Sequence, residues 1–240
     1  MRIRSSHFSA QLRSLSSTNL RPAVRFGRIA TCATVALLLL IAVARAQVPE
    51  CVPGTLADYE KLGPDGCAVG RSRLSNFHYQ QTSDGLSPDA ISITPGVSPN
   101  NDDPGVLIEG KWTSEMRHRS SISYTLDAPV IGKGFAGATL EMQFGQVTGA
   151  GTAKVATQIC PPASPENCSG AGARLHVLVS TRADRKVSDQ AQLKTSLHQV
   201  RVTSTIELTA GKNDAASFNG FMTVFHLSGK PPSSATPKAP

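Results

Sequence analysis

Apolar side chains recur at every second position in one short run after another, and this most constrains the fold. Ile122, Tyr124 and Leu126 share one face of their segment, and Leu140, Met142 and Phe144 share one of theirs. Ala153, Val155, Thr157 and Ile159 oppose Lys154 and Gln158. Leu175, Val177 and Val179 alternate with Arg174 and His176. Val200, Val202, Ser204, Ile206 and Leu208 alternate with Arg201, Thr203, Thr205 and Glu207, the cleanest half-buried strand of the chain. A period of two places one set of side chains on a core and the other in solvent. Near the end the pattern through Phe218 changes phase at Gly220 and resumes with Phe221, Thr223 and Phe225, which predicts a bulge.

Weaker strands are expected around Phe77 to Tyr79, Ile91 to Ile93 and Val106 to Ile108. Helical periodicity is scarce. Leu56 to Leu62 reads as one or two turns, capped by Thr55 and stopped by Gly63-Pro64. Asp189 to Leu197 reads as a second short helix. The expectation is therefore all-β: an antiparallel β-sandwich, jelly-roll-like or related, of about eight or nine strands with one or two short helices. Parallel α/β architecture is excluded by the missing crossover helices. One domain is expected over residues 47–228, with neither an internal repeat nor a second domain. The tail, residues 229–240, mixes Pro231, Pro232, Pro237 and Pro240 with Ser, Ala and Lys, and is expected to be disordered or extended.

The first 46 residues differ in kind. They carry Arg2, Arg4, Arg13, Arg21, Arg25, Arg28 and Arg45 and no acidic residue. A stretch without charge runs from Ile29 to Ala44, and Ala44-Arg45-Ala46 follows as a small-x-small site. A basic front, an apolar middle and such a site make a secretory signal peptide, residues 1–46, cleaved after Ala46, the alternative being a retained signal anchor. The apolar stretch is shorter than the roughly 20 residues of a spanning helix. The whole chain has 24 basic and 17 acidic residues and a formal charge of +7. Without the leader's seven arginines, 17 basic residues balance 17 acidic ones. That balance gives no support for nucleic-acid binding, and no membrane insertion is expected after cleavage.

Cys51, Cys67, Cys160 and Cys168 remain after the leader, which takes Cys32 with it. An even number of cysteines in an exported chain implies disulfides. Four cysteines admit three pairings, and loop closure favours the two local ones, Cys51–Cys67 and Cys160–Cys168. Neither pair has the C-x₂₋₄-C spacing of a zinc site.

The search for chemistry finds no G-x-S-x-G, H-E-x-x-H, S-x-x-K or phosphate-cradling loop. His78, His118, His176, His198 and His226 are scattered. Asn101-Asp102-Asp103-Pro104-Gly105 lacks the spaced calcium-loop pattern and reads as a turn with Pro and Gly in turn positions. Asp58, Glu60 and Asp65 are the carboxylates near enough in sequence to pair as acid and base. Asn167-Cys168-Ser169 is a formal glycosylation sequon. Trp112 is the one Trp, and few aromatics are free to serve as sugar platforms. No catalytic, metal or cofactor-binding residue is assigned, and no cofactor is expected.

Cys51, Gly54-Thr55-Leu56-Ala57-Asp58-Tyr59 and Gly66-Cys67-Ala68-Val69-Gly70 resemble the opening of a group of uncharacterised exported bacterial β-rich proteins. So do Leu74-Ser75-Asn76-Phe77, Ile91-Ser92-Ile93-Thr94-Pro95, Ile122-Ser123-Tyr124-Thr125-Leu126 and Gly137-Ala138-Thr139-Leu140. Some members carry a C-terminal PEP-type sorting anchor, which this tail lacks. The resemblance implies export and a β-rich domain, with no catalytic residue to carry over. The functional expectation is a secreted or periplasmic, non-enzymatic structural or adhesive β-sandwich, a component of cell surface or matrix whose partner is unknown. The alternative is a carbohydrate- or small-ligand-binding extracellular module.

Overall fold

A computed structural model describes residues 48–81, 85–99, 102–114, 117–129, 133–162, 168, 172–180, 185–211 and 213–229, the Phe144 side chain excepted. The leader, the sequon's Asn167 and Ser169, and the tail beyond Gly229 lie outside the described residues.

The chain is a β-sandwich. Its strands are β1 (Gly54–Thr55), β2 (Cys67–Val69), β3 (Ser72–Gln81), β4 (Ser92–Val97), β5 (Pro104–Ser114) and β6 (Arg117–Asp127). They continue as β7 (Phe135–Val147), β8 (Thr152–Cys160), β9 (Ala173–Ser180), β10 (Ser188–Leu197), β11 (Gln199–Thr209) and β12 (Ala216–Leu227). Two six-stranded sheets form, every pair of named strands antiparallel. The first has the order β1-β4-β5-β12-β7-β10 and the second β2-β3-β6-β11-β8-β9. From β5 onward the chain alternates between the sheets except at the β8–β9 hairpin, so that β5-β12-β7-β10 faces β6-β11-β8-β9. This is the strand order of an eight-stranded jelly roll. The remaining strands, β1 to β4, widen both sheets on the same side.

The alternating segments form the strands predicted for them, and their apolar members meet in one core, Phe144 lying outside the described side chains. Tyr124 of the second sheet lies edge-on to Phe225 of the first, with centroids 6.5 Å apart. Phe135 lies beside Phe225 at 5.7 Å, and Phe77 stacks on Tyr124 at 5.0 Å. Trp112 is buried and stacked on Phe218 at 4.9 Å. Two polar members of the alternation, Thr157 and Ser204, also point inward and satisfy each other at 2.9 Å.

The phase change in β12 coincides with a register shift. Phe218 pairs with Trp112 and Gly220 with Glu109, so the extra residue belongs to β5. Gly220 tolerates no side chain there, because a Cβ would meet the Ile108 carbonyl oxygen at 2.7 Å.

Helix α1 (Leu56–Lys61) starts where Thr55 predicts it. The Thr55 hydroxyl accepts from Asp58 N, and the Asp58 carboxylate accepts from Thr55 N, a capping box. Its Leu56 and Tyr59 are buried. A single 3₁₀ turn, Pro88–Ala90, precedes β4.

Three expectations are corrected. Asp189 to Leu197 is strand β10 rather than a helix. Its residues are good helix formers, but pairing with β7 and burial of Leu193 override that preference. Pro104 and Gly105 are not turn residues but open β5, paired with Val97 and Gly96. Twelve strands occur among the described residues instead of eight or nine, because β10 reads as a helix and β1 and β2 are too short to show a period.

The two lateral seams of the sandwich are tied. At one, the Cys51–Cys67 disulfide (Cα–Cα 4.9 Å) and a Glu50–Ala68 bridge join the start of β1 to β2. At the other, Lys186 bridges to Leu178 of β9, while Val187 O accepts from Met142 N of β7. The Cys160–Cys168 disulfide (Cα–Cα 5.0 Å) closes the connection after β8.

Candidate functional site

A core shared by both sheets leaves each sheet one outer face, and the alternation decides what stands on it. On the second sheet, the register aligns outward residues in rows across the strands. One row runs His78, Ser123, Thr203, Gln158, Arg174. The next runs Gln80, Ser121, Thr205, Ala156, His176. Beyond them lie Arg119, Glu207 and Lys154. Successive outward residues stand about 7 Å apart along a strand, and rows step about 5 Å between strands. Ala156 therefore sits low among longer neighbours. The result is an open groove of about 420 Å³, bounded by Lys154, Gln158, Arg174, His176, Thr203 and Thr205.

The groove's electrostatics are uneven. Glu207 is shared by Arg119 at 3.5 Å and Lys154 at 4.0 Å. Asp127 is held by Arg73, whose Nε donates at 2.8 Å, and by the Gln199 amide. His176 donates its backbone N–H to Asp189 at 2.8 Å, with its ring Nδ1 3.6 Å from the same carboxylate. Burial pushes the Asp189 carboxyl up, but the Lys186 ammonium at 2.6 Å and the His176 N–H outweigh it and hold it below its ordinary value. Arg174 has no ion-pair partner among the described residues.

The outer face of the first sheet carries an aliphatic patch over β4, β5 and β12. Leu107, Met222 and Val224 stand beside Gly96 and Gly105, and Val97 is 44 % exposed. Together with Pro95 and Pro99 they line a groove of about 410 Å³. Asp103 lies at this groove, only 5 % exposed. Its Oδ2 is 3.0 Å from His226 Nδ1, its Oδ1 accepts from Leu227 N at 3.1 Å, and His226 Nε2 is 2.7 Å from Thr139 Oγ1. An Nδ1–H tautomer, accepting from Thr139 through Nε2, satisfies all three groups. The order Thr–His–Asp is that of a nucleophile relay. Thr139, however, lies within a paired strand, between ladder partners Val224 and Gln190. Among the described residues the strands around Thr139 spend their backbone N–H groups on the ladder, and the chain of bonds acts as a clamp across β5, β12 and β7.

The carboxylates marked in the sequence do not assemble. Asp58 is committed to the cap of α1, and the Thr55 hydroxyl and N–H with Lys61 hold its carboxyl below its ordinary value. Glu60 accepts from Tyr79 N at 2.8 Å. No group of three His, Cys, Asp or Glu side chains is placed to hold a metal among the described residues. Of the described aromatic side chains, only Tyr79 is partly exposed, and it packs against the core. The Asp103–His226 pair and the groove over Ala156 escaped the sequence reading. The groove's only trace was an alanine at an outward position of a polar alternation.

No known protein family and no curated protein matches the chain. Solved structures similar to it include the carbohydrate-binding module TmCBM61 in complex with β-1,4-galactotriose. The TM-score is 0.34 at 11% identity, over 62% of this chain and 88% of that one. The enzymatically active domain of bacteriophage CBA120 tailspike protein 4 gives a TM-score of 0.28 at 11% identity, over 62% of this chain and 19% of that one. A structure of carbohydrate-binding modules from the β-sandwich superfamily gives a TM-score of 0.27 at 7% identity, over 75% of this chain and 62% of that one.

Proposed function

We propose that the chain is an exported, non-enzymatic jelly-roll module that binds a hydroxyl-rich ligand, a carbohydrate, in the groove over Ala156. One observation carries this reading: Lys154, Gln158, Arg174, His176, Thr203 and Thr205 converge on a gap that only a small residue leaves open. The groove has the volume of small-ligand sites, about 300–1,000 Å³. Its donors and acceptors come from paired strands, the central β8 and β11 and the edge strand β9, which lowers the ordering cost of binding. Aromatic stacking does not contribute, so recognition rests on hydrogen bonds from amide, hydroxyl and guanidinium groups. Two disulfides fit an oxidising compartment outside the cytosol, as does the leader. No helix among the described residues is long and apolar enough to cross a membrane. Binding of surface or matrix glycans is also the chemistry an adhesive role requires.

The test is a glycan array followed by calorimetry on protein beginning at Gln47. Wild type is expected to bind at least one glycan class, and Ala156→Trp, which fills the groove, to weaken it tenfold or more at an unchanged unfolding midpoint. Binding that survives Ala156→Trp overturns the site. An array without any bound glycan overturns the function.

A further inference from the structure

The near-zero charge of the mature chain hides a division between its faces. Arg73, Arg117, Arg119, Lys154, Arg174 and Arg201 all stand on the outer face of the second sheet, by register and alternation. The carboxylates on that face among the described residues are Asp127 and Glu207, and both are already engaged. Arg117, Arg174 and Arg201 are exposed, with no ion-pair partner among the described residues. Asp189, at the β9 edge, is matched by Lys186.

We propose that the ligand of this face is an acidic polysaccharide, whose carboxylate or sulfate groups are taken by Arg174 on the groove's wall and by Arg201 one outward step beyond Thr203. The proposal rests on the preceding reading that the groove over Ala156 is the binding site. It adds the ligand's charge class and extends the site beyond the groove. Arg201 lies on β11 and Arg174 on β9, separated by β8 and by one outward step along the strands. That places the two guanidinium stems about 12 Å apart, with β8 running between them. A polymer that follows the groove past Gln158 and Thr203 meets Arg174 at its wall and Arg201 one outward step beyond it. Guanidinium groups bind carboxylate and sulfate oxygens in pairs, which gives geometry as well as charge. Free guanidinium groups on a surface whose own carboxylates are engaged leave a positive field that attracts a polyanion.

Other polyanions fit less well. Single-stranded nucleic acid is held by base stacking on exposed aromatic rings, and the described residues of this face present no Phe, Tyr or Trp outward. Membrane surfaces are held partly by apolar side chains that enter the lipid. Here the outward aliphatic side chains are Ala68, Ala156 and Leu178, none of them fully exposed.

The experiment measures binding of the intact secreted protein to polygalacturonate, chondroitin sulfate and neutral galactan, with duplex DNA and phosphatidylserine vesicles alongside. One or both acidic polysaccharides should bind, and the difference between them identifies carboxylate or sulfate as the anion read. Their affinity should fall at least tenfold from 50 to 300 mM NaCl. It should fall at least tenfold again in Arg174→Gln/Arg201→Gln, whose urea midpoint should match wild type. Lys111→Gln, on the first sheet, should bind as wild type does. Galactan binding that ignores both salt and the double variant overturns the acidic ligand and leaves the carbohydrate reading standing. Failure to bind any polysaccharide overturns both. Tighter binding to DNA or to vesicles overturns the choice of polymer.

Discussion

The two outer faces of the sandwich are built alike and differ in chemistry. Each belongs to a six-stranded sheet, and each is the outward half of the same alternation. One carries guanidinium, amide and hydroxyl groups around Ala156; the other carries Leu107, Met222 and Val224 around two glycines. The inner faces were not free to diverge in this way, because they must fill one core together. The lesson is that a jelly roll separates stability from recognition by parity along the strand. Odd and even positions answer to different demands, so a change on one outer face should leave the other untouched.

A substitution at the core tests this first, because it should disturb both faces together. Phe225 is fully buried between Tyr124 of one sheet and Phe135 of the other. Phe225→Ala should cost about 3–5 kcal/mol in urea unfolding, the range for large buried aromatics. A near-zero cost would mean the sheets do not share one core. The clamp at the aliphatic face comes next. Asp103→Ala leaves His226 and the buried Leu227 N–H without their acceptor and should cost about 2–3 kcal/mol. Ligand binding at the opposite face should be unchanged, and a parallel loss of binding would break the claim that the faces are independent.

The Asp189 seam predicts a smaller effect, with a sign. Its folded carboxyl lies below the ordinary value, so its contribution is present above about pH 4 and is lost as acidification protonates it. Melting temperature measured from pH 6 to pH 3 should fall more steeply in wild type than in Asp189→Asn. The variant itself should lose about 1 kcal/mol or less at pH 7, as partly exposed ion pairs do. Equal slopes would show that Asp189 does not tie β10 to β9. The smallest effect is expected at Gly96, where nothing lies within 4 Å of an added Cβ. Gly96→Leu should change stability by no more than about 0.5 kcal/mol and leave glycan binding intact.

Alternation made most strands legible, since in-or-out is a local property of each segment. Two things were not local. Leu193 of β10 is the strand's one buried large side chain, so propensity argued for a helix and only the partner strand decided otherwise. The cationic face requires knowing that β3, β6, β11, β8 and β9 are neighbours, and that order follows from the jelly-roll crossovers. Arg73, Arg201 and Arg174 each read as an ordinary outward arginine in their own segment. Their sum on one surface exists only after the sheet is assembled. Asp103 and His226 met for the same reason, across 123 positions of chain.

The tied seams bear on what happens when many copies crowd together. A strand at the margin of a sheet is a template on which a second molecule can add its own, the route to fibrous aggregates. Here one margin of each sheet ends in a strand of only two or three residues; of the opposite margins, β9 has Lys186 laid against it and β10 runs ten residues. Reduction of Cys51–Cys67 would release the short pair and offer the long strands β3 and β4 as bare templates. Solubility at high concentration should therefore depend on whether Cys51–Cys67 is oxidised.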